Sequence, residues 1–142
     1  MQQVKHLLEA KGNAIYAIAP DAHVLDAIKR MAEKRVGALL VMRGDELVGI
    51  VSERDYARKV ILQGRASADT PVEAIMATRV LSVTPDTSVE ECMHLCTDSR
   101  VRHLPVLSGR KVVGVVSIGD LVKAVIDEQA QQIEHLQNYI AG

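Results

Sequence analysis

The chain has 142 residues, 48% hydrophobic and 25% charged, with a formal net charge of −1. Such a chain can bury a core, which excludes a disordered polymer. Its only aromatics are three Tyr, so neither a basic face nor a row of stacking rings points to direct DNA or RNA binding.

Met1 to Lys11 is polar, has a helical pattern and lacks the apolar stretch of a signal peptide. No apolar run approaches the ~20 residues that span a bilayer, so no membrane insertion is expected. A short extended stretch, Ile15–Ala19, closes at Pro20. A helix follows, with Val24, Ile28, Met31 and Ala32 on one face. Strand Ala38–Met42, a turn at Gly44 and strand Leu47–Ser52 come next, and a helix opens directly after Ser52. Gln63–Thr70 reads as a linker.

The same grammar then returns. Val80–Thr84 is extended and stops at Pro85, and a Thr87–Glu90 capping box opens a helix carrying Val89, Cys92, Met93 and Cys96 on one face. Strands His103–Leu107 and Val112–Ser117 flank Gly109, and a helix follows Ser117. Helical periodicity runs on from Leu121 to Ile140 through Val122, Val125, Ile126, Ile133 and Leu136. That exceeds what the unit needs, so the far half is predicted to contact a second copy or a partner.

An offset of 65 residues aligns Ile15–Ile61 with Val80–Ile126 without a gap. The 47 aligned positions hold 15 identities, where chance gives about three. They include Pro20/Pro85, Gly44/Gly109, Gly49/Gly114, Ser52/Ser117 and Asp55/Asp120. The fold class is therefore α/β (α+β): two βαββα units, with domains at 1–65 and 66–142. Strands apolar at nearly every residue imply burial on both faces, and one such unit alone has too little core. Sheet-to-sheet packing of the two units is expected to supply it.

The chemistry concentrates in Ser52/Asp55 and the copy Ser117/Asp120. An Asp carboxylate offers two acceptor oxygens that suit a ribose diol, and Ser at a strand end suits ribose or phosphate. The same S-x-x-D spacing also makes a helix capping box. Both roles are compatible, because a carboxylate at a helix start is favoured in any case. Elsewhere the signals fail. Cys92, His94 and Cys96 do not share a helix face, which argues against a metal site. The two cysteines read as buried free thiols, suiting a reducing cytoplasm. No P-loop, G-x-G-x-x-G or G-x-S-x-G motif is present, and no nucleophile–base pair is legible. The protein is not expected to be an enzyme.

The doubled pattern V-x-x-L-x-V followed by G-hydrophobic-V-S-x-x-D resembles tandem CBS domains, the Bateman module, over roughly Met1 to Glu128. The resemblance implies a pseudo-two-fold pair of domains with two clefts that take adenine nucleotides: AMP, ADP, ATP, NAD or S-adenosylmethionine. It also implies a homodimer acting through a separate effector protein, with no catalytic cofactor. On that resemblance one cleft combines Ser52, Arg54 and Asp55 with Leu81, Val101, Arg102 and His103. The other combines Ser117, Gly119 and Asp120 with Tyr16, Val36, Gly37 and Ala38. Arg102 and His103 suit a phosphate, so the first cleft is expected to hold a mononucleotide such as AMP. Gly37 and Ala38 leave the second empty, weak or open to a bulkier dinucleotide. Two alternatives stand beside the nucleotide sensor: a small nucleotide hydrolase, and a constitutive dimerisation scaffold without a ligand. Arg35 and Arg100, repeated at one position, face a ligand or cap the preceding helix.

Overall fold

The computed structural model describes residues 2–141. Helix α1 (Val4–Lys11) precedes the first repeat: β1 (Ala17–Ile18), α2 (Val24–Lys34), β2 (Ala38–Arg43), β3 (Glu46–Ser52) and α3 (Glu53–Tyr56). The chain continues from α3 as a π-helical turn over Ala57–Ile61 and makes a 3-10 turn at Val72–Ala74. The second repeat supplies α4 (Val89–Ser99), β4 (His103–Ser108), β5 (Lys111–Ser117) and α5 (Ile118–Ala141). Small sheets and helices thus mix in the α+β manner expected.

Two compact units result, and they do not follow chain order. One contains Ala14–Leu81 with Gly109–Val112. The other contains the described residues up to Asn13, Ser82–Ser108, and those from Val113 onward. Helix α1 therefore belongs with the second repeat, although residue 65 was the expected boundary. The reason is burial: Val4 and Leu7 enter the same apolar cluster as Val89, Cys92, Leu104 and Leu121. Backbone bonds add to it, Val4 N to Thr87 O and Lys5 N to Pro85 O, each at 2.9 Å.

In the unit of the first repeat the sheet runs β1-β2-β3. Strand β1 pairs parallel with β2, and β2 pairs antiparallel with β3 so that Ala38 faces Ser52. Gly44, at φ 63°, supplies the left-handed turn residue between them. Leu39, Leu40 and Val41 are all buried, so β2 is covered on both faces as its apolar run implies. Strand β3 is not: it alternates, with Gly49 and Val51 buried and Ile50 only half-buried. Its outer edge is closed by a two-way backbone bridge between Ile50 and Ala77. On α2 the core face is Val24, Ala27 and Met31. Ala27 takes the place expected for Ala32, which is exposed.

In the other unit β4 pairs with β5. The extended stretch expected at Val80–Thr84 shrinks to one parallel bridge, Val83 to Val106. A single residue explains the loss. In the first repeat Leu40 N donates to Tyr16 O at 3.1 Å, but the aligned residue in the second is Pro105, which has no N–H to give. Helix α4 begins one residue later than expected. Ser88, not Thr87, is its N-cap and accepts from Glu91 N at 3.1 Å. Thr87 Oγ1 instead accepts from Thr84 N at 3.0 Å and closes the turn before the helix. Arg35 and Arg100 both end their helices in the left-handed region, at φ 56° and 55°. The capping reading of this repeated arginine is therefore the one realised by the backbone.

Candidate functional site

Each repeat ends its second strand in Ser and starts a helix on the next residue, which aims the first-turn N–H groups at the strand end. In the first-repeat unit the result is a full capping box. Ser52 Oγ accepts from Asp55 N at 3.3 Å, and Asp55 Oδ2 accepts from Ser52 N at 2.9 Å and from Ser52 Oγ at 3.0 Å. The contacts fall on Oδ2. Asp55 Oδ1 faces the ammonium of Lys59 at 3.5 Å, and Lys59 Nζ also donates to Ile75 O at 2.9 Å.

The copy in the other unit repeats the cap and changes the cation. Ser117 N donates to Asp120 Oδ2 at 2.8 Å, and Asp120 N donates to Ser117 Oγ at 3.1 Å. The ammonium here is Lys11, from the end of α1, at 2.6 Å from Asp120 Oδ2 and 2.9 Å from Val115 O. Burial alone would raise the Asp120 carboxyl. The Lys11 hydrogen bond, the Ser117 backbone bond and the Lys11 charge outweigh it and hold the group below its ordinary value.

Most of the other expected site residues lie beside the Ser–Asp turn of their own unit. Gly37 O accepts from Glu53 N at 3.0 Å, which sets Val36, Gly37 and Ala38 beside the Ser52–Asp55 turn; all three are half-buried. Tyr16 immediately precedes β1, its carbonyl accepting from Leu40 N on β2, and the ammonium of Lys34 stands 5.7 Å from its ring centroid. In the second-repeat unit Arg102 O accepts from Ile118 N at 2.8 Å, which places Val101, Arg102 and His103 beside Ser117–Asp120. Arg54, Arg102 and Gly119 are exposed, while Val101, His103, Ser117 and Asp120 are half-buried. Leu81 is exposed at the end of the first-repeat unit. Gly37 and Ala38 thus flank the Ser52–Asp55 turn, and Arg102 and His103 flank the Ser117–Asp120 turn.

Two site residues escaped sequence reading. Lys59 could have been found, since it follows Asp55 at the i,i+4 spacing of a helical ion pair. Lys11 could not, because 109 residues separate it from Asp120. The cysteines behave as read: both are free and buried. Burial, reinforced by Cys96 and Glu91, pushes the Cys92 thiol up to about 11, and burial raises Cys96 as well.

A duplicated unit with a Ser–Asp pair at the end of each second strand defines a tandem α+β repeat protein. The CBS domain family matches residues 13–62 and 72–127, and the chain belongs to it. A relative in Arabidopsis thaliana, the CBS domain-containing protein CBSX3, mitochondrial, is 44% identical over 94% of this chain. The chain spans 66% of that relative's length. A putative signal-transduction protein with CBS domains from Burkholderia ambifaria is 55% identical, with TM-score 0.88 over 90% of this chain and 96% of that one. Two more distant structures share the fold. A CBS domain protein from Pyrobaculum aerophilum, complexed with AMP, is 24% identical with TM-score 0.79, covering 92% of this chain and 99% of that one. The CBS domain pair of MJ0100, in complex with 5-methylthioadenosine and S-adenosyl-L-methionine, is 22% identical with TM-score 0.81, covering 90% and 98%.

Proposed function

We propose that the chain is a non-catalytic sensor of adenine nucleotides, which bind at the Ser52–Asp55 and Ser117–Asp120 strand ends. The observation that carries this reading is the retention of both Ser and both Asp through a duplication that kept only 15 of 47 aligned residues. A cap alone does not demand it, since α4 is capped by Ser88 and α2 opens at His23 with no side-chain bond. The cap also leaves acceptor capacity, because a carboxylate has about four lone-pair positions. AMP and S-adenosylmethionine in relatives of the same fold support an adenosine-bearing ligand, with ADP, ATP and NAD in the same class. In this reading Arg102 and His103 serve the ligand's phosphate, and the site that includes Gly37 and Ala38 is the weaker or roomier one.

Signalling requires that the ligand favour one of two states of the protein. We infer a homodimer as the signalling species and a separate effector protein as its reader. The outer part of α5 supports self-association: residues 129–141 are exposed, and Ile126, Ile133 and Ile140 recur every seven residues. Val122, Gln129 and Leu136 repeat between them in the a/d pattern of a coiled coil. No helix among the described residues is long and apolar enough to cross a membrane, and the two buried free thiols suit the reducing cytoplasm.

Thermal unfolding with AMP, ADP, ATP, NAD and S-adenosylmethionine tests the reading, since a ligand bound only by the folded state raises the midpoint. At a ligand concentration 100-fold above Kd the gain is about 2.7 kcal/mol. A flat response to the whole panel returns the protein to the scaffold reading. Turnover of ATP or NAD would sink the non-catalytic one.

A further inference from the structure

Each Asp carboxylate is met by a lysine, and the two lysines come from unrelated places. Lys59 lies one helical turn after Asp55, at 3.5 Å from Oδ1, and donates to Ile75 O. The second repeat has Ala124 at the aligned position. There Lys11 reaches in from helix α1, at 2.6 Å from Asp120 Oδ2, and donates to Val115 O. Lys11 precedes the aligned repeat, and the residue 65 positions after it is Met76. Duplication therefore cannot account for the likeness: in each unit an ammonium from a different element holds one carboxylate oxygen and one backbone carbonyl.

Folding gives little reason for it. Both lysines are exposed and their carboxylates half-buried, so each pair adds only modestly to stability. Both carboxylates already accept from the Ser backbone and sit at a favourable helix start. An ammonium has three donors: Lys11 donates to Val115 O and Asp120 Oδ2, and Lys59 donates to Ile75 O while facing Asp55 Oδ1 at 3.5 Å, so each keeps capacity for a further acceptor.

We propose that Lys11 and Lys59 select the ligand class at the two strand ends. Each ammonium neutralises its Asp in the free protein. When ribose hydroxyls take the carboxylate, the ammonium turns its charge to the ligand's 5′-phosphate. Both strand ends then prefer phosphorylated adenosine to uncharged adenosine. They also prefer it to a sulfonium nucleoside, whose cation the ammonium repels. This rests on the nucleotide-binding reading above and adds to it a charge class that the shared fold leaves open.

Calorimetric titration of the full chain with AMP, adenosine and S-adenosylmethionine tests it, using Lys11→Met, Lys59→Met and their Arg counterparts. Each Met substitution is expected to weaken AMP at its own strand end by ~10-fold, the scale of one lost charge-assisted bond. Adenosine and S-adenosylmethionine should bind unchanged or tighter, so the AMP-to-adenosine preference falls by the same ~10-fold factor. The Arg variants should keep that preference. Equal changes for all three ligands, or no change, overturn the proposal while leaving nucleotide binding intact. If the wild-type chain binds none of the three, the nucleotide reading falls and this inference falls with it. Matched unfolding midpoints of the variants separate a binding effect from a folding one.

Discussion

A Cβ added to Gly114 would lie 2.7 Å from Leu8 Cδ2, so the Leu8 side chain of helix α1 packs directly onto the backbone of strand β5. Gly49, the aligned glycine on β3, is pressed from different neighbours: its Cβ would fall 2.7 Å from Met76 Sδ and 2.9 Å from the Ala77 carbonyl oxygen. The difference sets the first prediction. Leu8 can rotate away, whereas Ala77 O accepts from Ile50 N and is fixed by that bridge. Gly49→Ala is expected to destabilise by about 2–3 kcal/mol and Gly114→Ala by about 1 kcal/mol, within the usual cost of overpacking. Urea unfolding of the two variants side by side checks the order.

Arg35 and Arg100 carry a Cβ at φ 56° and 55°, where glycine is the unstrained choice. Arg35→Gly and Arg100→Gly should each raise stability by about 0.5–1 kcal/mol, once the extra freedom of glycine in the unfolded chain is subtracted. Unfolding midpoints measure it. A loss at either position would mean that the arginine side chain supplies more than the cap geometry costs.

The depressed Asp120 carboxyl links stability to acid. Its folded pKa lies below the unfolded one, so its contribution is present above the unfolded value near ~4 and is lost as pH falls through the folded value. Wild-type stability should therefore drop on acidification below about pH 4. Asp120→Asn and Lys11→Met should both flatten that limb, which denaturant titrations at pH 7 and pH 3 can read.

Cys92 gives the alkaline counterpart. Its thiol is held near 11 by burial, with Cys96 and Glu91 adding to the shift, while an unfolded thiol ionises near ~8.5. The folded state then keeps a proton that the unfolded state releases. The stabilisation is complete below the unfolded pKa and is lost as pH rises through about 11. Cys92→Ala should remove that pH dependence at the cost of some packing. In the native chain a thiol reagent at pH 8 should label neither cysteine faster than global unfolding exposes it.

Helix α5 offers a test of self-association that leaves each unit's core alone. Ile133 and Leu136 are 55% and 61% exposed, so charge placed there meets no buried neighbour in the monomer. Ile133→Lys together with Leu136→Lys should give a sedimentation value of a single chain with the secondary structure unchanged. A wild-type chain that is monomeric at the highest concentration reached would remove the dimer from the proposal.

The duplication, the helices and hairpins of both units and the two Ser–Asp strand ends were legible in the sequence, because they depend on local signals. Apolar periodicity, turn glycines and a Ser followed immediately by a helix act within a few residues of one another. What depends on partners far along the chain was not legible. The loss of the strand at Val80–Thr84 turns on a missing donor at Pro105, and its meaning appears only when the register with the neighbouring strand is known. The placement of α1 with the second repeat rests on Val4 and Leu7 finding a core some 80 residues away. The ammonium at Asp120 rests on the same docking, which carries Lys11 to a carboxylate 109 residues distant. The sequence by itself determined that there are two units and where the carboxylates stand. Tertiary structure alone decided which cation meets each, because a salt bridge needs atoms a few ångströms apart and chain spacing does not supply that distance.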